Sequence, residues 1–231
     1  MDTNPVNFAT GWPAFITDLQ EKILPIYEEH EKTFDPFGVH GRIHICRSVI
    51  FAEWMARFYN ARASIDIDFY AVRVASAMHD SGRRANGVDL WESESASKCV
   101  RYVENHSPYP QNAGYPDYVG GLIGKQPEND TCKWIVRDAD VLEIMRPCCG
   151  RGGVDGFRRK FLYFAGERDP VAAALPDAEV IREELIQEAW RWISETERIK
   201  LSFSNSATFF ECLLDKLGQE KPRYPMLSSL V

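Results

Sequence analysis

The chain has five histidines, and two of them fall where helical periodicity turns them inward. His44 continues with Ser48, Phe51 and Met55 at helical spacing, so its ring should face the interior. His79 extends the Phe69, Val72, Ala75 face to the end of its helix, and Asp80 follows at once. Asp140 lies in line with Val136 and Ile144, a carboxylate on an apolar stripe, where an unpaired charge costs roughly several kcal/mol. Taken singly, each of these is more simply a hydrogen-bonded core residue. Together, two imidazoles and two carboxylates on three buried helix faces are satisfied by one divalent metal, whose ligands are these nitrogen and oxygen groups. An ion so held lowers the pKa of its water and polarises a phosphoryl oxygen, which is the chemistry of hydrolysis. Asp138 sits about 200° around the helix from Asp140, so only one can face the ion; Asp138 is expected to solvate or to hold Arg137.

The elements that must position these groups are helical throughout, and strand-like alternation is hard to find. An all-α, single-domain bundle is expected. A first helix covers about 12–31, with Phe15, Leu19 and Ile23 on one face and Pro25 as a kink. Further helices are predicted over about 40–59, 66–79, 91–105, 118–125 and 131–146. Ser81 to Asp89 and the proline-rich stretch Ser107 to Asp117 are predicted loops, as is glycine-rich 147–156. From Pro176 an amphipathic helix presents Ile181, Leu185, Ala189 and Trp192 along one face. One domain spans 1–231, with a core at about 36–165 and a C-terminal helical extension at about 166–231.

Bulk properties exclude some classes of function. A formal net charge of -7 argues against long nucleic acid and anionic membranes as partners, because the field of the whole chain repels polyphosphate surfaces. Six cysteines form no CxxC pair and no disulfide framework, which predicts reduced thiols. No stretch approaches the ~18 uninterrupted apolar residues that a membrane span needs, and the N-terminal residues lack a basic segment followed by an apolar one. A cytoplasmic location is expected.

Three blocks carry a resemblance. His44 in "GVHGRIHICRSV", His79 and Asp80 in "ASAMHDSGRR", and Asp140 in "VRDADVLEIMR" resemble, in order, the signature of the HD superfamily. The resemblance spans about 36–165 and implies a helical HD-type fold with His44, His79, Asp80 and Asp140 as metal ligands. It also implies hydrolysis of a phosphate ester or anhydride. Members with two metals resemble one another in two further histidines. Here the corresponding blocks offer Glu92 and Gln126, which implies a single ion (Mn, Fe, Zn, Ni or Mg), with Glu92 available to ligate it or hold its water. The one other histidine in that interval, His106, is expected in a loop. His40 and His44 also form HxxxH, but Gly41 stands where a zinc protease needs its glutamate. His40 then either faces substrate and ligands or simply ends the helix.

The expected substrate is a small phosphorylated metabolite or nucleotide. Asp80 is expected both to ligate the ion and to accept a hydrogen bond from its water. Arg83 and Arg84, just beyond the His-Asp pair, suit bidentate contact with phosphate, although they read equally as an exposed loop pair. Between Arg146 and Lys160 lie five basic residues and one acid. Glycine amides and arginines there suit a phosphate cradle, with Arg146 and Arg151 its first candidates. Two rivals stand beside this reading: a non-haem iron oxygenase of HD type, and a non-catalytic nucleotide-binding HD module.

Overall fold

Small side chains decide how closely helices can approach, and the segment FYAVRVASAM is built largely of them. In the computed structural model, which describes residues 14–63, 65–87, 90–107, 113–124 and 130–145 together with Glu183 and Gln187, this segment is the central helix. It runs Phe69–Met78, and every residue from Ala71 to Met78 is buried. Asp68 starts it, accepting a hydrogen bond from the Ala71 amide at 2.9 Å, which satisfies one of the donors a helix start leaves open.

Among the described residues the fold is all-helical, with no strand. In chain order, a π-helical turn Leu19–Ile23 leads into α1 Leu24–Thr33, followed by α2 Arg42–Ala63 and the central α3 Phe69–Met78. After these come α4 Glu92–His106, α5 Tyr115–Gly121 and α6 Thr131–Met145. Helix α3 lies between α2, α6, α4 and α5, and α2 lies along α6 as well. The expected inner face of the first helix is found, with Phe15, Leu19 and Ile23 all buried. Where a kink is expected at Pro25, the helix passes from the π-turn just before it into α1. Pro25 sits in the first turn of α1, where its missing N–H interrupts the regular ladder and the wider turn absorbs the break.

Two boundaries differ from expectation. Tyr115 to Asp117, expected in a loop, begin α5, because Pro116 falls in the first helical turn where a proline needs no donor. Helix α3 starts later than expected, at the Asp68 cap. The glycine-rich stretch 147–156 and the C-terminal extension lie outside the described residues. So does the helix from Pro176, apart from Glu183 and Gln187, which share a hydrogen bond of 2.8 Å. Cys46, Cys99 and Cys132 are buried free thiols, and burial pushes the first two up to about 12. No helix among the described residues is long and apolar enough to cross a membrane.

Hydrogen bonds and charges lock the helices in register around α3. Tyr27 of α1 donates its hydroxyl to the Ala77 carbonyl at 2.8 Å, next to the chemically interesting end of α3. At the middle of α3, buried Arg73 forks onto Glu53 of α2, with contacts of 2.8 and 2.9 Å, and Arg57 reaches the same carboxylate at 2.9 Å. Burial alone would raise the Glu53 pKa, but Arg73 and then Arg57 more than offset it, so the carboxyl is held below its ordinary value. A depressed carboxyl stabilises the fold above the unfolded value, near pH 4.5, and loses that contribution as pH falls through the folded one. Glu53→Gln, which strands a buried guanidinium, should cost about 3–5 kcal/mol. Urea unfolding between pH 3 and 7 should show the wild type weakening below about 4.5 and the variant's curve flatter over that range.

Candidate metal centre

Three helices end or begin their buried stripes at one point. From α2 comes His44, almost wholly enclosed; from the turn after α3 come His79 and Asp80; from α6 comes Asp140, whose carboxylate is the most exposed of the four. The stripe around His44 is as expected, since Ser48, Phe51 and Met55 are also buried. His44 therefore forms the floor of the site, while Asp140 lies at its mouth.

The donor atoms lie close together. His44 Nε2 is 3.1 Å from His79 Nε2, and 3.4 Å from both Asp80 Oδ2 and Asp140 Oδ1. His79 Nε2 is 3.4 Å from Asp140 Oδ1 and 3.6 Å from Asp80 Oδ2. Ligands about 2.0–2.2 Å from a common ion stand roughly 3–3.5 Å from one another, so the groups are close enough to hold a metal ion. His44, His79 and Asp140 form one such set, and His40, His44 and Asp80 an overlapping one.

The chemistry of the nitrogens fits as well as their spacing. His79 Nδ1 lies 2.8 Å from the Ser76 carbonyl oxygen, which can only accept, so Nδ1 carries the proton. His44 Nδ1 lies 3.1 Å from a carboxylate oxygen of Glu143 and donates for the same reason. Neutral rings then point two bare lone pairs at each other across 3.1 Å, with carboxylate oxygens beside them. Such an arrangement calls for positive charge at its centre.

Without a cation a proton can supply that positive charge, and the ionisation tendencies follow. Burial would suppress charge on His44, yet hydrogen bonds with Asp80 and Glu143 prevail and raise its pKa to about 10. For His79 burial is likewise outweighed, by Asp80 and Asp140, and the value rises. Asp80 is held well below the usual carboxylate range, because His79, His40 and His44 overcome the burial that would raise it. Asp140 is also lowered, with His79 overcoming burial.

Around these groups the local sequence shows how they are held. Asp80 is gripped on both oxygens, by Arg83 Nε at 2.8 Å on Oδ1 and by His40 Nδ1 at 2.7 Å on Oδ2. Arg83 also reaches the Gly87 carbonyl at 3.3 Å and is buried. His40 lies just before α2, which begins at Arg42, and its ring contacts Asp80. Its loop is ordered by buried Asp35, which accepts from the Val39 amide at 3.0 Å and the His40 amide at 2.7 Å. Asn86 ties that carboxylate to the loop beyond the His-Asp pair, at 2.9 Å. That same loop is clamped to α4: Gly82 N donates to Ser95 Oγ at 2.9 Å, and Lys98 Nζ to the Ser81 carbonyl at 2.8 Å.

The other expected residues separate. Arg84 is exposed and paired with Glu94 at 2.7 Å, its guanidinium 6.0 Å from the Trp91 ring centre. Glu92 opens α4 and belongs to neither ligand set. Arg146, Arg151 and Gln126 lie outside the described residues. His106 is exposed at the end of α4, stacked on Tyr102 with ring centres 4.6 Å apart. Asp138, expected to be solvated or to hold Arg137, is buried rather than solvated, and Arg137 lies 4.8 Å from the Trp134 ring centre. The reason is that α6 is covered by both α2 and α3, so more than one of its faces is enclosed. Glu143 and Arg47 were missed; each falls one turn beyond a ligand, at the i+3 position from Asp140 and His44, and that spacing was the available signal.

Comparison of the chain with protein-family models, with curated proteins and with solved structures found no match.

Gly82 supplies a test of the clamp. A Cβ there would stand 2.5 Å from the Ser95 nitrogen and 2.9 Å from the Glu94 carbonyl carbon, backbone atoms that cannot swing aside. Gly82→Ala should force the loop bearing Asp80 off α4, costing about 1–3 kcal/mol as overpacking does. Chemical denaturation measures that cost, and a metal titration of the folded variant should show weakened uptake.

Proposed function

We propose that the chain is a metal-dependent phosphohydrolase of HD type, acting on a small phosphorylated metabolite or nucleotide. The observation that carries this reading is the pair of imidazole lone pairs facing each other at 3.1 Å between two carboxylates. His44, His79, Asp80 and Asp140 would hold one divalent ion. When bound, such an ion supplies a water of lowered pKa and a Lewis acid for a phosphoryl oxygen.

Charge balance supports an anionic substrate. Near the centre the carboxylates Asp80, Asp140 and Glu143 face the guanidiniums Arg47 and Arg83. With neutral imidazoles this leaves one net negative charge, which a divalent cation reverses to one positive. The half-exposed Asp140 leaves the approach open on one side. A phosphate monoanion or dianion is attracted to such a site, while the negative charge of the whole chain disfavours long polyanions.

The roles of the chain's own residues follow. Asp80, fixed by Arg83 and His40, holds its oxygens in place and would accept a hydrogen bond from an attacking water without reorienting. Arg83 is thereby a positioning residue, its Nε spent on Asp80. Arg84 is the residue for substrate phosphate: its exposed pairing with Glu94 is screened by water and readily exchanged for a phosphate oxygen. His40 lines the substrate side of Asp80. Arg146 and Arg151 remain candidates for the phosphate cradle on composition alone. Glu92 is given no role.

Metal analysis, followed by a screen of nucleotides and sugar phosphates with Mn²⁺ and phosphate release as readout, tests the proposal. Metal at about a hundred times its Kd should stabilise the fold by ~2.7 kcal/mol. Asp80→Ala should lose both this stabilisation and phosphate release, whereas Arg84→Ala should mainly raise KM. Turnover unchanged in the Asp80 variant would rule the mechanism out. Iron with oxygen uptake would identify an oxygenase instead, and nucleotide-dependent stabilisation without turnover a binding module.

A further inference from the structure

The two histidines of the centre are oriented by unlike partners. His79 gives its Nδ1 proton to a neutral backbone carbonyl, that of Ser76, at 2.8 Å. His44 gives its own to a buried carboxylate, Glu143 Oε2, at 3.1 Å. The other oxygen of that carboxylate faces Arg47 NH1 at 3.3 Å. Both added residues sit one turn beyond a ligand on the same helix, Arg47 after His44 on α2 and Glu143 after Asp140 on α6. The four side chains thus form a crossed set between the two helices, and Glu143 is the member that belongs to neither ligand group found around the centre.

We infer that Glu143 is a positioning residue that sets the affinity of the centre for its cation through His44, with Arg47 holding its carboxylate toward the ring. The inference rests on the metal-binding reading above. A carboxylate behind an imidazole does two things that a carbonyl cannot do as strongly. It polarises the ring, so that Nε2 becomes a better donor, and it adds a full negative charge on the axis running through the ring to the ion. Burial matters here, since Glu143 is 6% exposed and His44 3%, and poorly screened charges act at close to full strength. The guanidinium of Arg47, 3.3 Å from Oε1, keeps Glu143 turned toward Nδ1. The centre thereby has one strongly donating imidazole at its floor and one ordinary one, His79, nearer its mouth.

The test uses the full chain and Co²⁺, whose visible absorption reports its ligand environment, with Zn²⁺ competition to measure affinity. Glu143→Gln keeps the shape and an oxygen able to accept from His44 Nδ1 but removes the charge. It should still take up one ion with the wild-type band positions, at an affinity tenfold to a hundredfold lower. Glu143→Asp, which restores the charge on a shorter arm, should recover part of the loss. Wild-type affinity in a folded Glu143→Gln chain overturns this inference while leaving the metal centre standing. So does a lower melting temperature of the ion-free variant with affinity unchanged well below that temperature, since Glu143 would then serve packing alone. A wild-type chain that takes up no divalent cation overturns both readings together.

Discussion

Two imidazole rings that carry their protons on the far side, at Nδ1, face each other through Nε2 at 3.1 Å, and a cation or a further proton must lie between or beside those nitrogens. That constraint organises this end of the molecule. The carboxylates of Asp80 and Asp140 complete the demand, and the pKa directions of all four groups lean the same way, toward a centre that favours cationic charge. The surrounding polar contacts are the means of keeping the arrangement in place. Carboxylates left loose would rotate into solvent, and a ring with a rotated tautomer would present a proton where a lone pair is needed.

Holding it requires helices that approach more closely than bulky side chains permit. Helix α3 achieves this with alanines and a serine along its buried length, and the turn beyond it with Gly82, where only a hydrogen fits against the backbone of α4. Apolar burial alone does not fix the register of this helix. The Arg73–Glu53–Arg57 cluster and the Tyr27 hydroxyl on Ala77 compensate by fixing its register directionally. Burial by itself is non-directional and would tolerate a slide of α3 along its neighbours. A slide of one residue would carry His79 and Asp80 away from His44.

The loops on either side of the centre are built on the same logic. Asp35, fully enclosed, gathers two backbone amides and the Asn86 amide, so the segment that delivers His40 is joined to the segment that follows Asp80. Neither loop can shift alone. Asp80 consequently has its two oxygens committed to groups from different parts of the chain, Arg83 close by in sequence and His40 forty positions earlier, so its carboxylate is fixed in direction.

What the sequence determined by itself was set by short-range periodicity: the helices, the inward stripes that carry His44 and His79, and the loop after Asp80. A residue's position along a helix dictates which neighbours share its face, and three or four residues suffice to read it. The tertiary structure alone decided how many faces are covered and what each polar group meets there. It enclosed Asp138 on a helix packed from two sides, and separated adjacent Arg83 and Arg84 into a buried clasp and an exposed arm. It also set Glu143 behind His44 across two helices. Those outcomes depend on crossing geometry between segments distant in sequence, which sums many small packing preferences, so no local pattern contains them.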